Sequence, residues 1–208
     1  MRDRLDITEN YVLRIGEWSF RKRWRTLLIP IIFFLLVCNY HKWLYSPLNW
    51  QVSLPFILLG ECIRVWSVGI RDSNVTLNIL VTAGPYAYVR NPSYLGSFLI
   101  GLGIVIMSGL LWFIPIYIFL FFIGYQPMVL WEEDRLKKIH GDTYLRYKGS
   151  IRRWIPSIIP YPHKSPHAFL FFKALKRERD MIMATVGLAL LMMVKYFGVT
   201  TLLQYLIY

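Results

Sequence analysis

A long apolar stretch from Ser93 to Trp131 constrains this chain more than any other feature. A helix needs about 20 mostly apolar residues to cross a hydrocarbon core, so this stretch is roughly twice the length of one crossing. Ser108-Gly109 sits near its middle and Pro115 follows. Residues of that kind punctuate helices. The stretch is therefore predicted to be a tight hairpin of two helices, about 93–108 and 110–131. Three other runs have the length of a crossing, at 26–44, 51–70 and 181–208, the last with Lys195 inside it. About five crossings are predicted, with a re-entrant pair bending near Gly198 as the alternative for the last run. Composition agrees. Hydrophobic types make up 56% and charged types only 17%, where a soluble domain carries about a quarter charged. That excludes a disordered chain, and it excludes a polar nucleic-acid module despite a net charge of +12. Cys38 and Cys62 both lie in apolar runs, so no disulfide framework is in view.

The basic residues orient the chain. Seven lie in 1–25, two in 71–92 and twelve in 132–180, so 21 of 24 Lys and Arg fall on one side of five crossings. Positive residues mark the cytoplasmic side. The N-terminus and both polar connections are expected there. No cleavable leader is evident in the polar first 25 residues. Leu5, Tyr11, Ile15 and Trp18 recur at near-helical spacing instead, which suggests an interfacial amphipathic segment. The expected organisation is this cytoplasmic segment (1–25), a membrane core with its cytoplasmic connections (26–180) and a C-terminal membrane segment (181–208).

Two cytoplasmic segments carry residues suited to chemistry. In the first, Gly84-Pro85 marks a turn and Asn91-Pro92 reads as an N-cap followed by Pro at the first helical position. A helix N-terminus favours a carboxylate or phosphate, and Arg90 beside it could add a bidentate contact. Tyr86, Tyr88 and Tyr94 offer ring faces with hydroxyl handles. An interfacial turn with belt tyrosines would share these features. In the second, Glu132, Glu133 and Asp134 fall at the predicted cytoplasmic end of the fourth helix, where they oppose its dipole and call for compensation. Leu136, Ile139, Tyr144 and Tyr147 could form the apolar stripe of a following helix interrupted at Gly141. Within the membrane, Glu61 and Arg64 are spaced to share a face and pair. A structural ion pair with Arg64 snorkelling would share this spacing.

The sequence Gly84-Pro-Tyr-Ala-Tyr-Val-Arg-Asn-Pro-Ser-Tyr-Leu-Gly96 resembles the G-x-Y-x-x-x-R-H-P-x-Y-x-G signature of the isoprenylcysteine carboxyl methyltransferase family, part of a wider group with phospholipid methyltransferase-like proteins. Glu132-Glu133, His140-Gly141, Tyr144, Tyr147 and Arg153-Trp154-Ile-Pro156 resemble its second signature, and the likeness covers about 50–160. The resemblance implies an all-α polytopic membrane protein with a helical hairpin core and a cytoplasmic cofactor-binding cap. It implies S-adenosylmethionine as cofactor, held by Asn78, Ile79, Leu80, Val81, Tyr86, Asn91, Pro92, Ser93, Tyr94 and Glu132, with Arg90 and Glu132 in catalytic roles. Asn91 stands where the signature has His. Met128 stands where the eukaryotic carboxyl methyltransferases carry an Arg associated with the acceptor, and it joins Glu61 and Arg64 as a tunnel candidate.

The expected activity is methyl transfer to an amphiphile within the bilayer: a lipid headgroup, a lipid phosphate or a prenylcysteine carboxylate. Anionic headgroups are expected neighbours. No nucleic acid or metal is expected. His163 and His167 flank Pro166, which does not suit a helical metal pair. Two other classes share some of these features: a sterol-reductase-like NADPH enzyme and a non-enzymatic membrane scaffold or transporter subunit. Glu178, outside both motifs, is expected to be irrelevant to cofactor binding.

Overall fold

The computed structural model describes residues 47–75, 79–166 and 168–207, the side chains of 73–75 and 195–207 excepted. The described residues form four α-helices: α1 (Pro47–Val75), α2 (Pro92–Met107), α3 (Ile114–Ser150) and α4 (Phe171–Ile207). Short 3₁₀ turns fall at Gly84–Ala87 and Leu111–Phe113. The stretches Pro47–Asp72 and Leu111–Ser150 are long and apolar enough to cross a membrane, and Pro92–Met107 is apolar but shorter. The run at 26–44 and the segment 1–25 lie outside the described residues.

The predicted hairpin is present. Gly109 adopts φ 74, a left-handed conformation that costs glycine nothing. Its amide donates to the Ile106 carbonyl at 2.9 Å, and the Ser108 hydroxyl donates to the Val105 carbonyl at 2.7 Å. These bonds satisfy carbonyls that the end of α2 would leave open. Pro115 lies in the first turn of α3, where its missing N–H costs no bond. Phe98, Tyr117 and Phe121 then join α2 to α3, and the Tyr117 hydroxyl donates to the Phe98 carbonyl at 2.8 Å.

α1 and α2 pack with their backbones in contact. A Cβ added at Gly60 would lie 2.6 Å from the Gly96 carbonyl oxygen, and one added at Gly96 would lie 2.6 Å from that of Gly60. Small residues permit such approach between apolar helices, where dispersion and not water exclusion holds them together. α4 runs as one helix from Phe171 to Ile207, in place of the bent pair considered for 181–208. Its Leu188, Ala189 and Met192 cover Ile57, Ile100 and Ile104 of α1 and α2.

α3 departs from expectation. It does not stop near Trp131 but continues to Ser150, with a kink at Gly141 (φ 51, ψ −126). Hydropathy ends at 131, whereas helix propensity does not: Glu, Arg, Leu and Lys are strong helix formers. Lys138 also bridges Asp134 one turn earlier at 2.6 Å. Glu132, Glu133 and Asp134 are therefore mid-helix residues and do not oppose a C-terminal dipole. The interruption expected at Gly141 is present. Tyr144 and Tyr147 are buried after it with Leu136 against them, while Ile139 is exposed.

Candidate active site

The chain from Thr82 to Asn91 is strapped in place by the connection between α3 and α4. The amides of Arg90, Ser157 and Tyr161 bond with the carbonyls of Arg152, Tyr88 and Ala87 at 3.0, 2.7 and 2.8 Å. The Thr82 hydroxyl donates to the His163 carbonyl at 2.9 Å and accepts from the Ser165 amide at 2.8 Å. Tyr147 donates to the Tyr86 carbonyl at 2.6 Å. These bonds give a loop whose regular structure is one 3₁₀ turn a fixed shape, and they fix the mouth of α2.

At that mouth the two sequence motifs meet. The Tyr94 hydroxyl donates to Glu132 Oε2 at 3.0 Å, joining the first turn of α2 to the middle of α3. Tyr125 meets the Tyr94 ring edge-on at 5.3 Å and Trp154 lies 6.5 Å from it, which locks its direction. Tyr86 is close by. Burial pushes its phenol above the ordinary range, opposed by the Arg71 charge, so it remains a neutral hydroxyl. Arg71 is the residue that motif reading missed. It lies at the end of α1 within electrostatic reach of Tyr86 and Glu132 and 3.8 Å from Asp72. Its position at the end of an apolar run was the available signal.

Glu133, the next residue, faces a different environment. It is 6% exposed at its side chain, with Arg153 Nη2 at 2.8 Å, Arg90 Nη1 at 3.3 Å and Lys148 Nζ at 3.9 Å. Arg153 also donates from Nε to the other carboxylate oxygen at 2.8 Å, a bidentate fork. That hydrogen bond raises the Arg153 pKa above its usual value. Arg90 is thus inside the protein with its charge matched by Glu133, in place of the open anion contact expected. Among the described residues its Nε has no hydrogen-bond partner. Asn91 occupies the N-cap position ahead of Pro92, but its side chain does not cap α2. It donates instead to the Arg153 carbonyl at 3.3 Å.

The other predicted residues are spread out. Asn78 lies outside the described residues. Ile79 and Leu80 line a cavity of about 360 Å³ with Thr82, facing His140, Thr143 and Arg146 of α3. Val81 is half-buried between them and the turn. Pro92 is buried, and the half-buried Ser93 stands beside the Tyr86 hydroxyl. Met128, one turn before Glu132, is 2% exposed. Glu61 and Arg64 do not close on each other. Arg64 Nε donates to Glu178 Oε2 of α4 at 2.9 Å, and its Nη1 donates to the Ser97 hydroxyl. Glu61 accepts from the Thr185 hydroxyl at 2.9 Å. Glu178 is therefore a buried partner of Arg64. Among the described residues no group of three or more His, Cys, Asp or Glu is placed to hold a metal.

A family model described as phospholipid methyltransferase matches residues 55–143. The chain is 30% identical over 115 residues to a protein-S-isoprenylcysteine O-methyltransferase of Schizosaccharomyces pombe, covering 51% of this chain and 49% of that protein. It is 29% identical over 147 residues to the protein of that name from Dictyostelium discoideum, covering 64% and 60%. It is 29% identical over 122 residues to the one from Homo sapiens, covering 51% and 40%. The chain spans about half the length of the curated relatives it matches. No solved structure matches. Tyr94 and Glu132, through which the two motifs meet, fall inside the matched region; the chain is similar to the phospholipid methyltransferase family over 55–143 and to the isoprenylcysteine O-methyltransferases over about half its length.

Proposed function

We propose that the chain is a multi-pass membrane methyltransferase that uses S-adenosylmethionine and acts on an amphiphilic acceptor held in the bilayer, its cofactor side facing the cytoplasm. The observation that carries this is the Tyr94–Glu132 hydrogen bond, which brings the two motifs together at the mouth of an apolar helix. The residues present fit the cofactor. Glu132 offers a carboxylate for an ammonium, a sulfonium field or ribose hydroxyls. Arg71 and the N-terminal amides of α2 offer positive charge for a carboxylate. The cavity beside Ile79 and Leu80 offers apolar walls for a ring. It touches His140, eight residues beyond Glu132 and so about 12 Å along α3. That separation is on the scale of an extended adenosyl-methionine chain.

The cofactor would supply an electrophilic methyl group already activated for displacement. The chain's task is then alignment and exclusion of water. Tyr94 holds the Glu132 carboxylate in one orientation. Arg90 acts as a positioning residue, because its charge is spent on Glu133 and the pair fixes the loop that precedes α2. Met128 is one turn from Glu132 and on the same side of α3, so the acceptor end would be apolar here where the eukaryotic carboxyl methyltransferases carry an Arg. A carboxylate or phosphate acceptor needs no general base, and none is required of His140.

The test is incubation of membranes containing the protein with methyl-labelled S-adenosylmethionine, followed by lipid extraction and alkaline treatment. Label recovered in the extract supports the reading. Volatile methanol after alkali indicates a carboxyl ester, and alkali-stable label indicates a headgroup amine or a phosphodiester, which the mass of the labelled lipid tells apart. No transfer above membranes carrying the Glu132→Gln protein rejects the reading.

A further inference from the structure

We propose that Trp154–Ile159 is a membrane-dipping loop, with its isoleucines among lipid acyl chains beside α3 and its flanking basic residues at anionic headgroups. The proposal rests on the bilayer-embedded reading of α3 given above. Ile158 is 97% exposed, Ile159 79% and Ile155 63%. Contiguous apolar exposure of this kind marks a contact surface.

The main chain under these residues is fixed. Hydrogen bonds from Arg90 to Arg152, from Ser157 to Tyr88 and from Tyr161 to Ala87 pin the loop along its length. The Arg153 fork to Glu133 anchors its base. Pro156 and Pro160 restrict the backbone further. The isoleucines are therefore presented outward by a rigid support.

What lies beside the loop identifies the partner as lipid. The Trp154 ring is 5.2 Å from that of Phe122 and 6.1 Å from that of Phe121, and its Nε1 donates to Gln126 at 3.4 Å. Phe122 is ten residues before Glu132, about 15 Å back along α3 toward its apolar end. Phe119 and Ile123, on the same stretch, are exposed side chains of a candidate span. The loop is thus continuous with the surface that would face acyl chains. Charge points the same way. From Leu145 to Leu170 there is no Asp or Glu, while Lys148, Arg152 and Lys164 are exposed around the loop. A basic rim around an apolar tip suits an anionic leaflet.

The test places a single cysteine at Ile158 in a Cys38→Ser/Cys62→Ser background and labels it with the fluorophore NBD. The full chain is reconstituted in phosphatidylcholine–phosphatidylserine vesicles. Phe119→Cys serves as the lipid-facing control and Lys138→Cys as the aqueous control. Doxyl-labelled phosphatidylcholine is expected to quench the Ile158 and Phe119 probes at least twofold and to leave the Lys138 probe unchanged. Dithionite is expected to reduce the Ile158 probe at least tenfold more slowly than the Lys138 probe. If Phe119 is quenched while Ile158 is not and reacts at the aqueous rate, the loop lies in water and the proposal fails alone. If Ile158 is shielded from both reagents, another protein surface covers it and the proposal fails. If neither Phe119 nor Ile158 is quenched, the bilayer reading of α3 falls with it. Ile158→Cys removes no internal contact, so unchanged thermal stability in detergent is the check that the labelled protein is folded.

Discussion

Glu132 and Glu133 are adjacent in the chain, share one helix and have different roles. Glu133 is ringed by Arg90, Arg153 and Lys148 and takes the Arg153 fork on both oxygens. Glu132 is held by a neutral phenol, Tyr94, with the Arg71 charge nearby. A carboxylate whose field is consumed by buried cations is a structural tie. A carboxylate oriented by a hydroxyl keeps its charge available to a ligand. Helical geometry separates them, since residues i and i+1 point about 100° apart around the axis. One side of α3 therefore builds the scaffold and the other faces the proposed site.

Removing Glu133 should cost most. Glu133→Ala leaves Arg90 buried without its partner, and breaking a buried pair in this way costs about 3–5 kcal/mol. Thermal unfolding in detergent should show a large drop in Tm or loss of folded protein, and an unchanged Tm would erase the distinction between the two acids. Arg153→Ala removes the fork but leaves Arg90 paired, so a smaller loss of about 1.5–3 kcal/mol is expected in the same assay. Glu132→Gln should leave folding stability within about 0.5 kcal/mol of unchanged and weaken S-adenosylhomocysteine binding about tenfold, equivalent to about 1.4 kcal/mol. Tyr94→Phe removes the orienting hydrogen bond to Glu132, worth about 1 kcal/mol. It should lower cofactor affinity about fivefold, and an effect larger than that of Glu132→Gln would make Tyr94 the primary contact.

Local features were legible in the sequence. The hairpin at Ser108-Gly109 was readable because apolar length and a glycine turn are local properties, and the break at Gly141 was readable for the same reason. The convergence of the two motifs came from the resemblance, which carries tertiary information that periodicity lacks. What could not be read depended on partners far along the chain. Asn91 looked like a cap, but the Arg153 carbonyl, 62 residues away, takes its side chain. Arg90 looked like an open anion contact because it lies beside the helix mouth, but Glu133, 43 residues away, takes its charge. Arg64 and Glu61 looked like a pair because their spacing allows one, yet Glu178 and Thr185 on α4 take them instead. The end of α3 was misplaced because hydropathy reports the bilayer boundary, whereas backbone hydrogen bonding carries the helix past it.

The most direct test of the central claim is equilibrium binding of S-adenosylhomocysteine to the detergent-purified protein, with NADPH as control and with Glu132→Gln and Glu133→Gln compared in the same samples as their Tm. The account predicts saturable binding by the wild-type chain and none of NADPH. It predicts about tenfold weaker binding at unchanged Tm for Glu132→Gln, and a lowered Tm for Glu133→Gln. Folded wild-type protein that does not bind, or Glu132→Gln protein that binds as tightly as the wild type, would contradict it.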